Sequence, residues 1–410
     1  MRHGPNWEPA LILGIRRLMR AAVLRAPGDP AGIRIESVAD PVPGAGEVLV
    51  RVSTVCVNRT DVHVLHRTNI GRGVPLPHIG GLDPAGVVVG HGPGVETPAI
   101  GTRVVARPMI PCLGCRFCGS DREALCEHPT YVGVHRPGGF AELVALPARA
   151  VFPIPDGVDD ATASAAAHSV PVVLHQLDTV GQVTDGDRVL VVGAAGGLGL
   201  VAVQLARHLG ATIVAAAGSD DKLAILRGLG AAEAISYAVP EGFADRVRAA
   251  TGGLGVSVAV DNVGSRVLWP EVVAALDKGG RILSCGAHAD GRVEVDLALF
   301  YRLQLRLVST AGASRAEFER ALSLVHEGTV RPVVHREWPL EGIGDALAEL
   351  LARRNVGKIV LRVGPDVRPR GRPVGGTRDA VDSSPTGAPA DRHALDRQAV
   401  GDALPPVESR

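Results

Sequence analysis

Four of the six cysteines lie close together, and thiol groups at such short spacing can bind a metal ion. They fall within 15 residues, with two, two and seven residues between successive members: Cys112, Cys115, Cys118 and Cys126. Four thiolates complete the tetrahedral coordination of zinc and leave no open position, which is typical of a structural site. The bacterial iron–sulfur pattern has three residues before its last cysteine and a proline after it, whereas here the gap is seven and Glu127 follows. The spacing therefore predicts one structural Zn²⁺, rather than an iron–sulfur cluster or a chance grouping.

A second group of residues is suited to binding phosphate. The apolar run Val189–Val192 predicts a strand, and Leu200–Leu209 predicts a helix directly after a glycine-rich turn. Glycines in such a turn let the backbone approach a pyrophosphate, and the free N–H groups of the helix N-terminus face its charge. An ordinary tight turn is the alternative, but the flanking strand and helix favour dinucleotide binding. The predicted cofactor-binding residues of this turn are Ala194, Gly196, Gly197, Leu198 and Gly199.

The end of the next predicted strand bears on the choice of cofactor. An NAD site places a carboxylate there, on the ribose 2′-hydroxyl, but the residue near the expected position is Ala217. Ser219 and Lys222 are predicted to bind a 2′-phosphate; the alternative is that Ser219 caps a helix and Lys222 is exposed to solvent. Asp220 and Asp221 would repel a phosphate if they pointed inward. The pattern favours NADP(H), with NAD(H) as the alternative.

The elements that must position these residues fall into two regions that differ in sequence pattern. Between residues 19 and 150, short β-like runs are interrupted by Gly and Pro, and between residues 185 and 310 apolar strands alternate with amphipathic helices. The alternation implies right-handed βαβ units and a parallel sheet, hence an α/β fold class. The predicted strands are 48–52, 86–89, 103–106, 141–146, 188–192, 212–217, 256–260 and 358–363, and the predicted helices are 197–209, 222–229 and 344–353.

Composition and charge limit the classes of function that the chain can have. The chain has 410 residues, 43 basic and 43 acidic side chains, and 46% hydrophobic residues, which is ample for large cores. Zero net charge gives no electrostatic case for a nucleic-acid or membrane partner, and no apolar run reaches the roughly 18 residues of a membrane span. Cysteine spacing of the metal-binding kind indicates a reducing compartment, so we expect a cytoplasmic protein. Residues 1–18 are interpreted as an N-terminal extension and the proline-rich residues 364–410 as a disordered tail.

Together these features resemble the medium-chain dehydrogenase/reductase superfamily, which includes the zinc-type alcohol dehydrogenases and the quinone oxidoreductases. The resemblance covers about residues 19–363. Besides the cysteines, it rests on residues 58–61 (NRTD), 81–86 (GLDPAG), 138–142 (GGFAE), 194–199 (AAGGLG), 261–264 (DNVG) and 357–360 (GKIV). It implies a GroES-like, β-rich substrate domain formed by residues 19–155 and 335–363, and a Rossmann dinucleotide-binding domain, a doubly wound parallel sheet, formed by residues 156–334.

The departures from the family pattern bear on catalytic zinc. Zinc alcohol dehydrogenases have a cysteine ligand where this chain has Asn58, and a histidine ligand where it has Leu82. A leucine cannot bind zinc, and an asparagine amide is a poor ligand beside a thiolate. The chain therefore resembles the quinone oxidoreductase branch, whose members lack catalytic zinc, although that branch usually lacks the cysteine lobe too. An atypical second zinc site made by Cys56, His168 and Asp83 is the alternative.

The resemblance implies hydride transfer between a nicotinamide cofactor and a small-molecule substrate. Without a metal Lewis acid, forming an alkoxide from a plain alcohol is difficult, whereas a quinone or α,β-unsaturated carbonyl accepts hydride at carbon. Hydrogen-bond donors then stabilise the developing enolate. The predicted catalytic residues are Asn58, Thr60 and Arg59, and the residues predicted to line the nicotinamide are Asn262, Gly264 and Gly286.

Several assignments stay open at this point. Arg59 is expected to contact the cofactor phosphate or the substrate, with a surface ion pair as the alternative, and His168 is either a proton donor or a structural residue. No unambiguous general acid is visible, so water is the expected proton source. A zinc-dependent alcohol dehydrogenase and a non-catalytic NADPH-binding regulator are the two alternative functions. Relatives commonly pair sheet edges, so the resemblance also implies a homodimer.

Overall fold

The computed structural model describes residues 17–364. Residues 1–16 and 365–410, which hold nearly all of the predicted extension and tail, lie outside the described residues. Within the described part, no helix is both long enough and apolar enough to cross a membrane.

The amino-terminal part is built on antiparallel strands because its apolar runs are short and are broken by Gly and Pro. One helix, α1 (Arg59–His66), follows the longest strand of this part. The strands are β1 (Leu18–Leu24), β2 (Ile33–Ala39), β3 (Glu47–Val57), β4 (His78–Ile79), β5 (Ala85–His91), β6 (Arg103–Ala106), β7 (Met109–Ile110), β8 (Thr130–Tyr131), β9 (Leu143–Pro147) and β10 (Val151–Pro153).

The second part is a six-stranded parallel sheet with the order β13-β12-β11-β14-β15-β16. Its strands are β11 (Arg188–Val192), β12 (Thr212–Ala217), β13 (Glu233–Ser236), β14 (Val256–Asp261), β15 (Leu276–Ser284) and β16 (Arg306–Ser309). The helices of this part are α2 (Asp160–Leu174), α3 (Gly197–His208), α4 (Leu223–Gly228), α5 (Phe243–Ala250), α6 (Trp269–Ala274), α7 (Leu297–Leu303) and α8 (Arg315–His326). The strand order reverses at β11, and ligands bind at such a switch point, beyond the carboxyl ends of the strands.

The chain then returns to its first part through β17 (Val334–Pro339), α9 (Ile343–Leu351) and β18 (Lys358–Arg362). These strands complete a sheet with the order β10-β6-β5-β3-β18-β17, in which β9 also pairs with β3. Just before β18, the Gly357 N–H donates to Ala195 O at 2.8 Å. Gly357 has φ +81°, and a Cβ there would lie 2.2 Å from Val333 O, so only glycine fits. The return therefore ties the first sheet to the glycine-rich turn of the second.

The two parts share one apolar core. Ala85, Val105 and Phe152 of the first part belong to the same buried cluster as Val170 of α2 and Phe318 of α8. The Phe152 and Phe318 rings lie 4.7 Å apart between centroids. Because this core crosses the boundary between the sheets, the site residues that the two sheets contribute are held in fixed relation.

The predicted α/β class is confirmed. Three predicted strands, 103–106, 188–192 and 212–217, match β6, β11 and β12 residue for residue. The other predicted elements overlap observed ones but differ at their ends. The strand predicted at 48–52 is part of the longer β3 (Glu47–Val57), and the helix predicted from residue 222 begins at Leu223, because a 3₁₀ turn, Asp220–Lys222, precedes it.

Candidate active site

The glycine-rich turn lies at the carboxyl end of β11, where α3 begins. Gly196 is the N-cap of α3, and its N–H donates to Gly193 O at 3.0 Å. A Cβ at Gly199 would lie 2.3 Å from that same carbonyl oxygen, so the helix can pack this close only with glycine. The first N–H groups of α3 have no partner within the helix and point out of the turn, which suits an anionic pyrophosphate. The structure thus brings together the predicted residues of this turn.

Asn262, Gly264 and Gly286 lie beyond the carboxyl ends of the adjacent strands β14 and β15. Asn262 is buried, and its Oδ1 accepts hydrogen bonds from Gln176 Nε2 at 2.9 Å and from Cys285 N at 2.8 Å. Gln176 belongs to a π-helical turn after α2 and was not predicted, since no local pattern pairs it with a residue 86 positions away. The network fixes the loop that follows β15.

The residues predicted to determine the preference for NADP(H) over NAD(H) lie at the end of β12 and just after it. Ala217 is buried at the end of that strand, and no carboxylate stands in its place. Ser219 occupies the N-cap position of the 3₁₀ turn Asp220–Lys222, but its side chain makes no capping hydrogen bond. Lys222 is partly buried rather than solvent-exposed, and its Nζ donates to Arg353 O at 2.7 Å. Burial lowers the pKa of Lys222.

A lysine outside the predicted site joins the glycine-rich turn to the first sheet. Lys358 opens β18 and is buried; a Cβ at Gly197 would lie 2.7 Å from its Cδ, so its stem lies against the turn. Its Nζ contacts Asn58 Oδ1 and lies 3.5 Å from Asp83 Oδ2. Burial disfavours the charged amine, but the acidic groups around it raise the pKa of Lys358. The sequence feature that could have pointed to Lys358 was a single lysine at the start of an apolar strand.

Asn58, at the start of α1, makes hydrogen bonds through its side-chain amide and its backbone N–H. Its Nδ2 donates to Asp83 Oδ2 at 3.0 Å and to Cys56 O at 3.3 Å, while its Oδ1 accepts a hydrogen bond from Lys358 Nζ. Its backbone N–H donates to Asp61 Oδ2 at 2.7 Å. Because the amide groups are satisfied within the protein, Asn58 orients its neighbours and has no free donor to offer.

Two carboxyl groups, Asp61 and Asp83, are buried beside this amide. Asp83 Oδ1 accepts from Cys56 N at 2.9 Å, and Asp61 Oδ1 accepts from Gly81 N at 3.1 Å. Burial raises the pKa of Asp83, and it raises the pKa of Asp61 to about 7. Asn58, Asp61, Asp83 and Lys358 together are called the buried polar cluster below.

The side chains weighed as an atypical second zinc site do not converge. Among the described residues, the one group of three or more potential metal ligands whose ligand atoms lie within 4.8 Å of one another is made by cysteines 112, 115, 118 and 126. Leu82 is fully buried, packed with Leu65 and Val134. Burial raises the pKa of the Cys56 thiol to about 12, and burial, with Lys358 and His288 nearby, lowers the pKa of His168 to about 3. His168 is therefore a neutral imidazole at pH 7.

The four cysteines form a closed set at the edge of the first part. Cys112 N lies 3.2 Å from Cys126 Sγ, and the Cys115 and Cys118 sulfurs are 3.5 Å apart. Four converging thiols are the donor set of a structural zinc site, so the residues fit this metal. Backbone N–H groups, first that of Glu127, lower the pKa of Cys115 to about 6, which favours the thiolate that zinc requires.

Helix α1 carries the remaining predicted catalytic residues toward the second part. Arg59 is partly buried and donates to Leu350 O at 3.0 Å. Thr60 is partly buried at the next position. One turn later on the same face, the His63 ring lies 5.8 Å from the His288 ring, which follows β15. His63 and His288 were not predicted, because only the fold brings them together.

A small cavity of about 20 Å³ lies between the two parts, next to His168, and has room for about one water molecule. Its apolar wall includes Pro108, Met109, Val172 and Phe318. Arg107 and Tyr131 contribute polar groups.

Comparison with known proteins identifies two family domains. The alcohol dehydrogenase GroES-like domain matches residues 44–156, and the zinc-binding dehydrogenase domain matches residues 197–327. These matches confirm the predicted GroES-like and Rossmann parts.

Three individual proteins are similar over most of the chain. L-threonine 3-dehydrogenase of Deinococcus radiodurans is 30% identical, covering 80% of this chain and 92% of its own. Acryloyl-coenzyme A reductase of Sulfurisphaera tokodaii is 27% identical, covering 84% of this chain and 100% of its own. A crystal structure of an NAD-dependent alcohol dehydrogenase is 36% identical, with a TM-score of 0.80, and covers 84% of this chain and 100% of its own.

Proposed function

The chain belongs to the medium-chain dehydrogenase/reductase superfamily of NAD(P)-dependent oxidoreductases, and on that premise we propose that it delivers hydride to an activated carbonyl acceptor without a catalytic zinc ion. The acceptor class is a quinone or an α,β-unsaturated ketone or aldehyde. The observation that carries the proposal is the buried polar cluster, where Lys358 Nζ lies 3.5 Å from Asp83 Oδ2 and Leu82 is core.

The charge of this cluster supports an activated acceptor. Without a Lewis acid, forming an alkoxide from a plain alcohol is difficult, and an amide, a leucine and a buried ammonium do not provide one. When hydride adds to the carbon of an enone, the negative charge spreads onto oxygen, and hydrogen-bond donors stabilise it. The reduced nicotinamide supplies the hydride when bound. The name acryloyl-coenzyme A reductase denotes an α,β-unsaturated acceptor, which supports the same class.

Named residues take separate roles in this proposal. Thr60 is the hydroxyl donor beside the reacting oxygen, and His63, one turn along α1, connects that position with solvent, from which the completing proton comes. Asn58 is a positioning residue, since its side chain contacts Lys358, Asp83 and Cys56. Arg59 is assigned to the cofactor phosphates.

For the cofactor we propose NADP(H), bound by Ala194, Gly196, Gly197, Leu198, Gly199, Ser219, Lys222, Asn262, Gly264 and Gly286. The support is the absence, among the described residues, of a carboxylate at the Ala217 position, together with Lys222 beside Arg353 at the end of β12. NAD(H) is the alternative, and the NAD-dependent alcohol dehydrogenase structure favours it.

One experiment tests the function. Oxidation of NADPH and NADH is followed against a panel of quinones, enones and aldehydes, with zinc measured on the same sample. We expect turnover with an enone or quinone, faster with NADPH, at one zinc per chain. Oxidation of simple alcohols at two zinc ions per chain would establish the zinc-dependent alcohol dehydrogenase instead. Cofactor binding without turnover of any acceptor would establish a non-catalytic regulator.

We also propose a cytoplasmic homodimer formed through β16, the edge strand of the parallel sheet. Leu307 on that strand and Leu297 and Tyr301 on α7 are exposed, which is unusual for large apolar side chains at a free sheet edge. Light scattering during size-exclusion chromatography would give twice the chain mass for the wild type and the monomer mass for Leu307→Lys.

A further inference from the structure

On the loop after β15, the His288 side chain has no hydrogen-bond partner among the described residues. The backbone of this loop is fixed, because the His288 N–H donates to Val263 O at 2.9 Å. Nδ1 of the imidazole is enclosed by the protein and has no partner there. Nε2 makes no hydrogen bond to the described residues either, but it is not enclosed. The ring is therefore held in place with both of its nitrogens unused.

The enclosure of Nδ1 fixes the protonation state of this ring. A charged imidazole would carry an N–H at Nδ1 with no acceptor, which is costly in an enclosed place. Burial, with His63 and Arg59 nearby, lowers the pKa of His288 to about 4. In the neutral ring, a lone pair without a partner costs less than an N–H without one, so the proton lies on Nε2. At pH 7 the ring therefore presents one donor, Nε2–H, on its open side.

This donor lies between the groups proposed to bind two portions of the cofactor. A Cβ at Gly286, which is proposed to line the nicotinamide, would lie 2.6 Å from Nε2, so the ring lies against that glycine. Across the boundary between the two parts, the His63 ring is 5.8 Å away between centroids. Arg59, assigned to the cofactor phosphates, is close enough for its charge to act on His288. In a dinucleotide, the portion between the nicotinamide ring and the phosphates is a ribose.

We propose that His288 binds the cofactor, with its Nε2–H donating a hydrogen bond to a hydroxyl oxygen of the nicotinamide ribose. A hydroxyl oxygen accepts such a bond and keeps its own proton for a second one, so a neutral imidazole suits it. The inference rests on the proposed function for the placement of the cofactor. It adds a binding residue that enters the site from the loop after β15.

The test compares ligands that contain successive portions of the cofactor. Kd values for NADP⁺, ADP-ribose 2′-phosphate and 2′,5′-ADP are measured by calorimetry on the full-length zinc-loaded protein, and NAD⁺, ADP-ribose and AMP are measured in parallel. His288→Phe keeps a flat ring against Gly286 but has no donor. We expect it to raise Kd about three- to tenfold for the two larger ligands of each series, as for loss of one neutral hydrogen bond, and to leave the smallest within about twofold.

Two further variants show whether the effect belongs to the Nε2–H donor. His288→Gln places an amide N–H near the position of Nε2 and should restore most of the affinity. His208→Phe, at an exposed histidine at the end of α3, should leave every Kd at the wild-type value.

Three results would overturn the proposal. The first is unchanged binding of NADP⁺ and NAD⁺ by His288→Phe. The second is an equal loss for 2′,5′-ADP and AMP, which would indicate a disturbed loop. The third is a loss confined to the ligands that contain nicotinamide, which would assign the contact to the ring and not to the ribose. Because no acceptor is present, each result holds whether or not the protein reduces an enone.

Discussion

The cysteine lobe and the buried polar cluster are both groups of potential metal ligands, and they are built in opposite ways. In the lobe, four sulfurs face one another, and the loop around them is exposed, with Leu113 54% and Leu125 46% accessible. In the cluster, acids, an amide and an ammonium already satisfy one another within the core. A set of acceptors alone needs an added cation, whereas a set with its own cation is complete.

The largest expected effect comes from removing that internal cation. Lys358→Met keeps most of the stem but leaves Asp83 and Asn58 without their charged partner. Loss of one member of a buried pair costs about 3–5 kcal/mol, so the free energy of unfolding in urea should fall by that amount. Lys278→Met, at an exposed lysine of β15, should stay within about 0.5 kcal/mol of wild type. Similar values for the two variants would show that the cluster does not need its ammonium.

The lobe should depend on an added ion in the same way. Cys118→Ser removes one of four thiolates, so zinc content should fall from one per chain to near zero, with a loss of about 2 kcal/mol or more of stability. Cys285→Ser, outside the lobe, should keep its zinc. A variant at Cys118 with full zinc content would contradict the four-thiolate site.

A smaller expected effect is a pH dependence of stability, which comes from the buried polar cluster. Burial raises the pKa of Asp61 to about 7, so the folded state holds a proton that the unfolded state releases near pH 4. The stability from this group is complete below pH 4 and is lost as pH rises toward 7, at up to about 1.4 kcal/mol per pH unit. Asp61→Asn should flatten this decline in urea titrations at several pH values, and Asp156→Asn, at an exposed acid, should not. Parallel curves for wild type and Asp61→Asn would refute the shift.

The smallest expected effect concerns the helix behind the cluster. Ser164 Oγ of α2 donates to Asp83 O at 2.7 Å, so Ser164→Ala should cost about 1 kcal/mol of unfolding free energy. Ser169→Ala is the matched control, because Ser169 Oγ bonds to Ala165 O within its own helix. If both variants lose the same stability, the helix gives the cluster no specific support.

Local patterns predicted the parts that depend on neighbours in sequence. The strand 188–192, the turn with Gly196 and Gly199, and the four cysteines are all contained in short windows, where spacing and hydrophobicity suffice. The contact between Lys358 and Asn58 joins residues 300 positions apart, and Gln176 meets Asn262 across 86. Such contacts follow from strand order and packing, which no window contains.

The position of Lys358 on β18 has a consequence for biosynthesis. The ribosome makes the amino-terminal part first, so β3, with Asn58 directly after it, emerges long before β18, one of the strands that pair with it. Until residue 358 has left the ribosome, two buried acids lack their counter-charge and the glycine-rich turn lacks its Gly357 hydrogen bond. A nascent chain therefore reaches its working form only when β18 is released.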